Sequence, residues 1–497
     1  MVLDLMRQPL SITNSKEEIT KMKKKTWLHV LQSCVFVLLL GIVLACCSRV
    51  LERKASSNQF GPFLKNPQQY DVLFFGDSRF VNCLFPMELW EDYGIAGYNL
   101  SCYGNTMPVT YWSMMNAFDY VTPKVAVIAI NGVRKDLKVT GSSSDVHTAF
   151  DFFPLSRTKI QAIEDLMDDP QAADDDGNRY VDMKWEYYFT LGKYHSRWSE
   201  IVPNDFSGNP NVQKGADMMV GVAQCEDYDI IDDDLYAEEQ GVGYSYMRRA
   251  IEECQERGIE VLLVHLPYPA SEDSQMNANT VGSIAEEYGV DYHDFVRMDS
   301  VVDYAVDCYD QQAHLNPSGG WKITDFLGQY LRERYDLADH RGDSSYANWQ
   351  QDQQNYAAYK QKLIAAQNNL ESLLVMLHDD SVSVDIAVKE QADLYWNDQV
   401  LTLLHNMNRE HVYEPEAYSK WSNSMFPLTG LEDALWSDEA YFVTLDRGNA
   451  AVSEFVGEDA AWQAEQSFGS PVWEEGKEIR IRVKDRATGN LITERQF

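Results

Sequence analysis

Positive charge is what this 497-residue chain has least of: 42 Lys and Arg stand against 77 Asp and Glu, a formal net charge of −35. The deficit is uneven. The first 54 residues hold nine basic and four acidic side chains, so the remainder carries −40. Phosphate backbones would be repelled by so acidic a body, which excludes nucleic acid as a partner and suits a cationic or neutral substrate. Cysteine is also sparse. Outside one apolar stretch there are only Cys83, Cys102, Cys225, Cys254 and Cys308, an odd set without a Cys-x-x-Cys pair, which excludes a disulfide framework and a zinc site. Cys83 and Cys102, near the first two strands, remain a possible pair. His378, His405 and His411 are not at ligand spacing, and Asp174-Asp175-Asp176-Gly177-Asn178 lacks the glutamate of a calcium loop because Met183 stands at the twelfth position. No metal or cofactor is expected.

One long apolar run is present. Trp27 to Cys47 contains no charge, and as a helix its 21 residues would reach about 31 Å, the thickness of a bilayer's hydrocarbon core. Lys16, Lys21, Lys23, Lys24 and Lys25 precede it, against Arg49, Arg53, Lys54 and Lys65 behind. The lysine cluster abutting the run orients the tail inward and the body outward, a single-pass anchor with an extracytoplasmic body. A cleaved signal peptide is disfavoured by the run's length, and a lipidated Cys46 by bulky Leu44 in the lipobox-like Val43-Leu44-Ala45-Cys46.

The chemistry begins at Asp71-Val72-Leu73-Phe74-Phe75-Gly76-Asp77-Ser78-Arg79, where an apolar strand ends in Gly-Asp-Ser. Such a junction lifts a serine hydroxyl clear of the sheet, beside the free N–H groups of a following helix. Ser78 is the candidate nucleophile, and it needs a histidine base held by a carboxylate. The run from Val306 to Gly320 supplies one: Asn316 suits a helix N-cap and Pro317 the first helical position, which puts His314 on the loop just before a helix.

Gly-Asp-Ser after the first strand, Gly104-Asn105 in the next loop and an Asp-to-His block near the domain's end resemble the SGNH (GDSL-like) hydrolase superfamily over about residues 66–335. Within it the chain looks most like membrane-anchored bacterial members related to the teichoic-acid D-alanyl transfer protein and the alginate-type O-acetyltransferases. The resemblance implies a three-layer α/β/α sandwich with a mostly parallel sheet, a Ser-His-Asp triad, and acyl transfer or deacylation on a cell-surface glycan or teichoic-acid-like polymer. Ser78 matches the nucleophile, and His314 with Asp310 or Asp307 the last block, which has one residue too many. Gly104 and either Asn105 or Asn131 would serve the oxyanion, because the usual third block is altered and Arg134 falls where an asparagine is expected.

Strand-like runs at Val72–Phe75, Tyr98–Leu100, Val125–Ile130 and Ile259–His265 alternate with helix-length stretches at Met107–Tyr120 and Tyr244–Glu256, the pattern of a parallel sheet covered on both faces. The expected plan is a cytoplasmic tail (1–25), an anchor (26–48), an α/β domain (66–338) with an insertion at about 137–240, a linker at 339–349 and a small α+β domain (350–497). In the insertion, Trp185, His195 and Arg197 suit a sugar-stacking, anion-clamping wall, as does Arg79 beside the nucleophile. The plainer use of those aromatics is to glue the insertion to the main domain. The last domain opens with one amphipathic helix carrying Leu363, Ala366, Leu370, Leu373 and Leu377 on a single face. Two functions are compatible with this plan: a membrane-tethered serine acyltransferase or acyl esterase, and an inactive assembly partner of a membrane O-acyltransferase, motivated by Arg134. A lipase is disfavoured by the tether and the acidic surface.

Overall fold

The computed structural model describes residues 12–52, 62–133, 136–207, 212–226, 228–298, 301–392, 397–406, 409–413, 421–425, 428–446, 451–469 and 473–497. It falls into two compact units, one made of residues 1–54 with 185–208, the other of 55–184 with 209–497.

The first unit is built on helix α1 (Ile12–Leu51), whose Lys24–Leu51 portion, with mean hydropathy 2.7 over its most apolar window, is long and apolar enough to cross a membrane. Its last carbonyls have no partners within the helix, so side chains from residues 185–208 meet that end. The Arg197 guanidinium donates to the carbonyls of Leu51 and Glu52 at 2.6 and 2.8 Å, and Thr190 donates to the Glu52 carboxylate at 2.6 Å.

In the second unit, strands β1 (Val72–Phe75), β2 (Gly97–Asn99), β3 (Val125–Ala129), β4 (Glu260–His265) and β5 (Asp291–Asp294) form one parallel sheet in the order β2-β1-β3-β4-β5. The chain steps outward from β1 to β2 and then crosses to the other side of β1 for β3. Strand order therefore reverses between β1 and β3, and the crevice beyond their carboxyl ends is where such sheets take ligands. Short helices α2 (Ser78–Cys83) and α3 (Pro86–Tyr93) and the longer α4 (Met107–Phe118) join the first strands. Every residue of β1 and β3 is buried, as strands covered on both faces require. The expected strands and helices agree with these to within two residues. β5 was not expected: its Asp-Tyr-His-Asp sequence is polar and lies at the sheet's edge.

Residues 137–184 fold as short helices without adding to the sheet. Lys138 there pairs with Asp165 at 2.9 Å, and Trp112 of α4 donates to the same carboxylate at 2.7 Å. The insertion is thus divided, since residues 185–208 belong with α1.

The C-terminal part carries an antiparallel sheet of β6 (Val382–Val388), β9 (Tyr441–Asp446), β10 (Ala451–Val456), β11 (Ile479–Asp485) and β12 (Leu491–Gln496), ordered β10-β9-β6-β11-β12, and a separate hairpin of β7 (Arg409–Tyr413) and β8 (Trp421–Met425). The single amphipathic helix expected there is two, Ala347–Ala366 and Leu370–Met376. Asn369 breaks the run by capping the second helix, its side chain accepting from Ser372 N–H at 2.8 Å. The expected linker is docked: Trp349 is fully buried and stacks on Trp90 of α3 at 4.9 Å between ring centroids.

Beside that stack, Lys360 is 1% exposed and its ammonium meets Glu88, Glu91 and Asp379 at 2.9, 3.2 and 3.1 Å. Three carboxylates on one ammonium leave excess negative charge in a poorly hydrated place. Burial pushes the Glu91 carboxyl up to about 8, against the pull of Lys360. Folding therefore favours its protonated form, so its contribution is fully present below the ordinary carboxylate range and is lost as pH rises toward 8. We expect the thermal midpoint to fall between pH 5 and pH 8, by about 1 kcal/mol of stability per pH unit from this group, and Glu91→Gln to flatten that slope. A Glu91→Gln protein as pH-sensitive as the wild type would refute the assignment.

Candidate active site

At the end of β1 the chain turns sharply at Gly76. A Cβ there would stand 2.7 Å from the Cβ of Ala129 on the neighbouring strand, so only glycine fits. Asp77 then caps α2, accepting from Arg79 N–H at 3.1 Å, and Ser78 is the helix's first residue. Its Oγ lies 2.8 Å from His314 Nε2.

His314 is delivered by the loop before the helix Pro317–Arg334, which Asn316 caps as its residue type suggests. On the far side of the ring, Nδ1 lies 2.9 Å from Asp310 Oδ2. The other oxygen of Asp310 accepts the backbone N–H groups of Gln312 and His314 at 2.9 and 3.2 Å, so one carboxylate shapes the loop and aims the ring. Burial alone would raise the Asp310 carboxyl, but hydrogen bonds from His314 and the loop hold it below the usual carboxylate range. A charged Asp310 fixes the proton on Nδ1 and leaves Nε2 to accept from Ser78. The extra residue in the Asp-to-His block is absorbed at Ala313, whose φ of 58° puts it in the left-handed region.

Asp307, the competing carboxylate, is elsewhere. Fully buried, it pairs with the Lys322 ammonium and accepts from Ser318 Oγ and Asp303 N–H, both at 2.7 Å. It bolts the start of the helix to the preceding turn and does not touch the imidazole.

The backbone N–H groups of Ser78 and Gly104 have no acceptor among the described residues. Gly104 adopts φ +69°, and a Cβ on it would meet the Asp145 carboxylate at 2.5 Å. Of the two candidate asparagines, Asn105 is 3% exposed and donates to the carbonyl of Gly76, two residues before Ser78. Asn131 is pinned to Leu266 by a reciprocal pair of bonds, donating to its carbonyl at 3.3 Å and accepting its N–H at 3.1 Å, and so splices the ends of β3 and β4. Arg134 lies outside the described residues.

Arg79 follows Ser78, its guanidinium 4.3 Å from the centre of the Tyr268 ring and 3.6 Å from Asp77. The other three residues expected to bind substrate have local tasks. Arg197 closes the end of α1, His195 Nδ1 lies 2.8 Å from the Gly192 carbonyl, and the Trp185 ring packs so closely on Gly192 that a Cβ there would meet it at 1.9 Å. The unpaired carbonyls of a helix end attract arginine as readily as a bound anion would.

The sequence did not single out residues 213–225, which carry no regular structure yet join β2, α2 and the loop that carries His314. Lys214 accepts Asn99 N–H at the end of β2, Asp217 donates its N–H to Val81 of α2, and Ala223 and Cys225 donate to Cys308 and Tyr304 of the base loop. Asp217 brings a carboxylate that accepts from Tyr103 Oη at 3.1 Å and that burial holds above its ordinary range. Tyr309 stacks on the His314 ring at 5.8 Å.

Comparison with family models, with curated proteins and with solved structures returns no match, so function is read from these residues themselves.

Proposed function

We propose that this chain is a membrane-tethered serine acyltransferase or acyl esterase of SGNH type, its body outside the cytoplasm, acting on a cell-surface polysaccharide or teichoic-acid-like polymer. The observation that carries the reading is the unbroken chain from Ser78 Oγ through His314 to Asp310, 2.8 and 2.9 Å per link. Its position beyond the carboxyl ends of β1 and β3 and the resemblance of the Gly-Asp-Ser and terminal blocks support it.

In the first step Ser78 Oγ attacks the acyl carbonyl while His314 Nε2 takes the hydroxyl proton, and Asp310 stabilises the imidazolium. The developing oxyanion is held by the N–H groups of Ser78 and Gly104 and by the Asn105 amide, donors worth about 3 to 4 kcal/mol each in such sites. His314 then returns its proton to the leaving alkoxide oxygen. In the second step an acceptor hydroxyl, or water, attacks the acyl-Ser78 ester with His314 again as base. Arg79 on Tyr268, next in the chain to Ser78, supplies a cation for an anionic group on the substrate. A multi-span O-acyltransferase is the natural acyl-supplying partner for a tethered body of this kind.

The test is labelling of the purified protein by a serine-reactive fluorophosphonate. Wild type should label and Ser78→Ala should not. Equal labelling of the two would end this reading, and a Ser78→Ala strain with unchanged surface acylation would point instead to an inactive assembly protein.

A further inference from the structure

Two buried thiols lie directly beneath the loop that carries His314. Cys225, 5% exposed, and Cys308, 0% exposed, come from segments far apart in sequence that the structure joins by backbone bonds on either side of them: Ala223 N–H to Cys308 C=O at 2.8 Å and Cys225 N–H to Tyr304 C=O at 2.9 Å. Cys225 Sγ donates to the Asp310 carbonyl at 3.3 Å. Every cysteine is a free thiol here, so this is the reduced form of the pair. The two sulfurs sit in one apolar cluster with Ala313 and Leu315, the neighbours of the base.

We propose that Cys225 and Cys308 are a disulfide site that locks the 213–225 segment onto the base loop and so positions Asp310 and His314. This rests on the extracytoplasmic placement proposed above only for its occurrence in the cell; the chemistry stands without it. The step is thiol-disulfide exchange with a small or protein disulfide as oxidant. The Cys225 thiolate attacks one sulfur of the oxidant and releases a thiolate, and Cys308, after losing its proton, attacks the mixed disulfide at Cys225 Sγ and releases the second. Two thiols and one external disulfide become one internal disulfide and two external thiols. The order follows from the acidity of the two groups, since the proximity of each thiol to the other draws that of Cys225 below its ordinary range and, with burial, pushes that of Cys308 far above. Both sulfurs are covered in the folded chain, so the bond forms as the chain folds or during slow opening of the segment.

Trypsin separates the partners cleanly. Cleavage after Lys214, Arg248, Arg297 and Lys322 puts Cys225 alone in peptide 215–248 and Cys308 alone in 298–322. Full-length protein, opened in mild denaturant, is refolded in oxidised and reduced glutathione, quenched with an alkylating agent and digested without reductant. The expected result is a 215–248/298–322 cross-link lighter by two hydrogens than the separate peptides. It should vanish in Cys225→Ser and in Cys308→Ser. The cross-linked protein should melt roughly 2 to 5 °C above its reduced form, a difference that the double serine variant lacks. Both cysteines recovered alkylated at every oxidised ratio would overturn the proposal, as would a cross-link that leaves the melting point unchanged. Fluorophosphonate labelling is a separate readout: a cross-linked protein that does not label refutes the enzyme reading and leaves the disulfide standing.

Discussion

Asp310→Asn should lower ester turnover by about 10⁴-fold while leaving the melting temperature nearly unchanged. An asparagine keeps the shape of the carboxylate and the acceptor for the backbone N–H groups of Gln312 and His314, so the loop survives. It removes the negative charge that holds the proton on Nδ1 and stabilises the imidazolium, and its amide N–H would favour the tautomer whose Nε2 already bears a proton. Such a ring cannot take one from Ser78, and in a Ser-His-Asp site that error is worth about four orders of magnitude. The residual rate should rise with pH, as hydroxide replaces the missing base. Turnover of an aryl ester and a calorimetric scan on the same preparation check both halves. A variant with wild-type turnover would show that the carboxylate seen 2.9 Å from the imidazole orients nothing.

How far residue order alone reaches can be followed strand by strand. β1 and the turn after it were legible because a buried parallel strand needs an uninterrupted apolar run and a sharp turn against the neighbouring strand needs a residue without a Cβ, and both constraints act within eight residues. β5 was not, because Asp291–Asp294 has no apolar run of its own and is a strand only through its bonds to β4. The choice between Asp307 and Asp310 was equally closed to spacing. Both precede His314 on one loop, and what separates them is the left-handed turn at Ala313 and the distant Lys322, which claims Asp307. Asp217 left no signal at all. Its segment has no periodicity and is held by backbone bonds to α2 and to the base loop, which side-chain patterns do not report. The aromatic and basic residues of the insertion are not told apart by type, because a helix end and a ligand ask for the same guanidinium.

Asp307→Ala is the complementary experiment, and its effect should fall on stability. The substitution removes the carboxylate that pairs with the Lys322 ammonium, 1% exposed, and takes from Ser318 Oγ and Asp303 N–H the acceptor they now share. Breaking one side of a buried ion pair costs about 3 to 5 kcal/mol, because the remaining charge keeps its desolvation penalty and loses the attraction that offset it. A fall in melting temperature of about 3 to 6 °C is expected for a unit of this size. Adding Lys322→Met removes the remaining charge and should recover most of the loss, though not the part owed to Ser318 and Asp303. Below its melting range Asp307→Ala should still label at Ser78, since the carboxylate that meets the imidazole is untouched. Were Asp307→Ala to lose turnover at full stability, and Asp310→Asn to keep it, the roles assigned to the two aspartates would have to be exchanged.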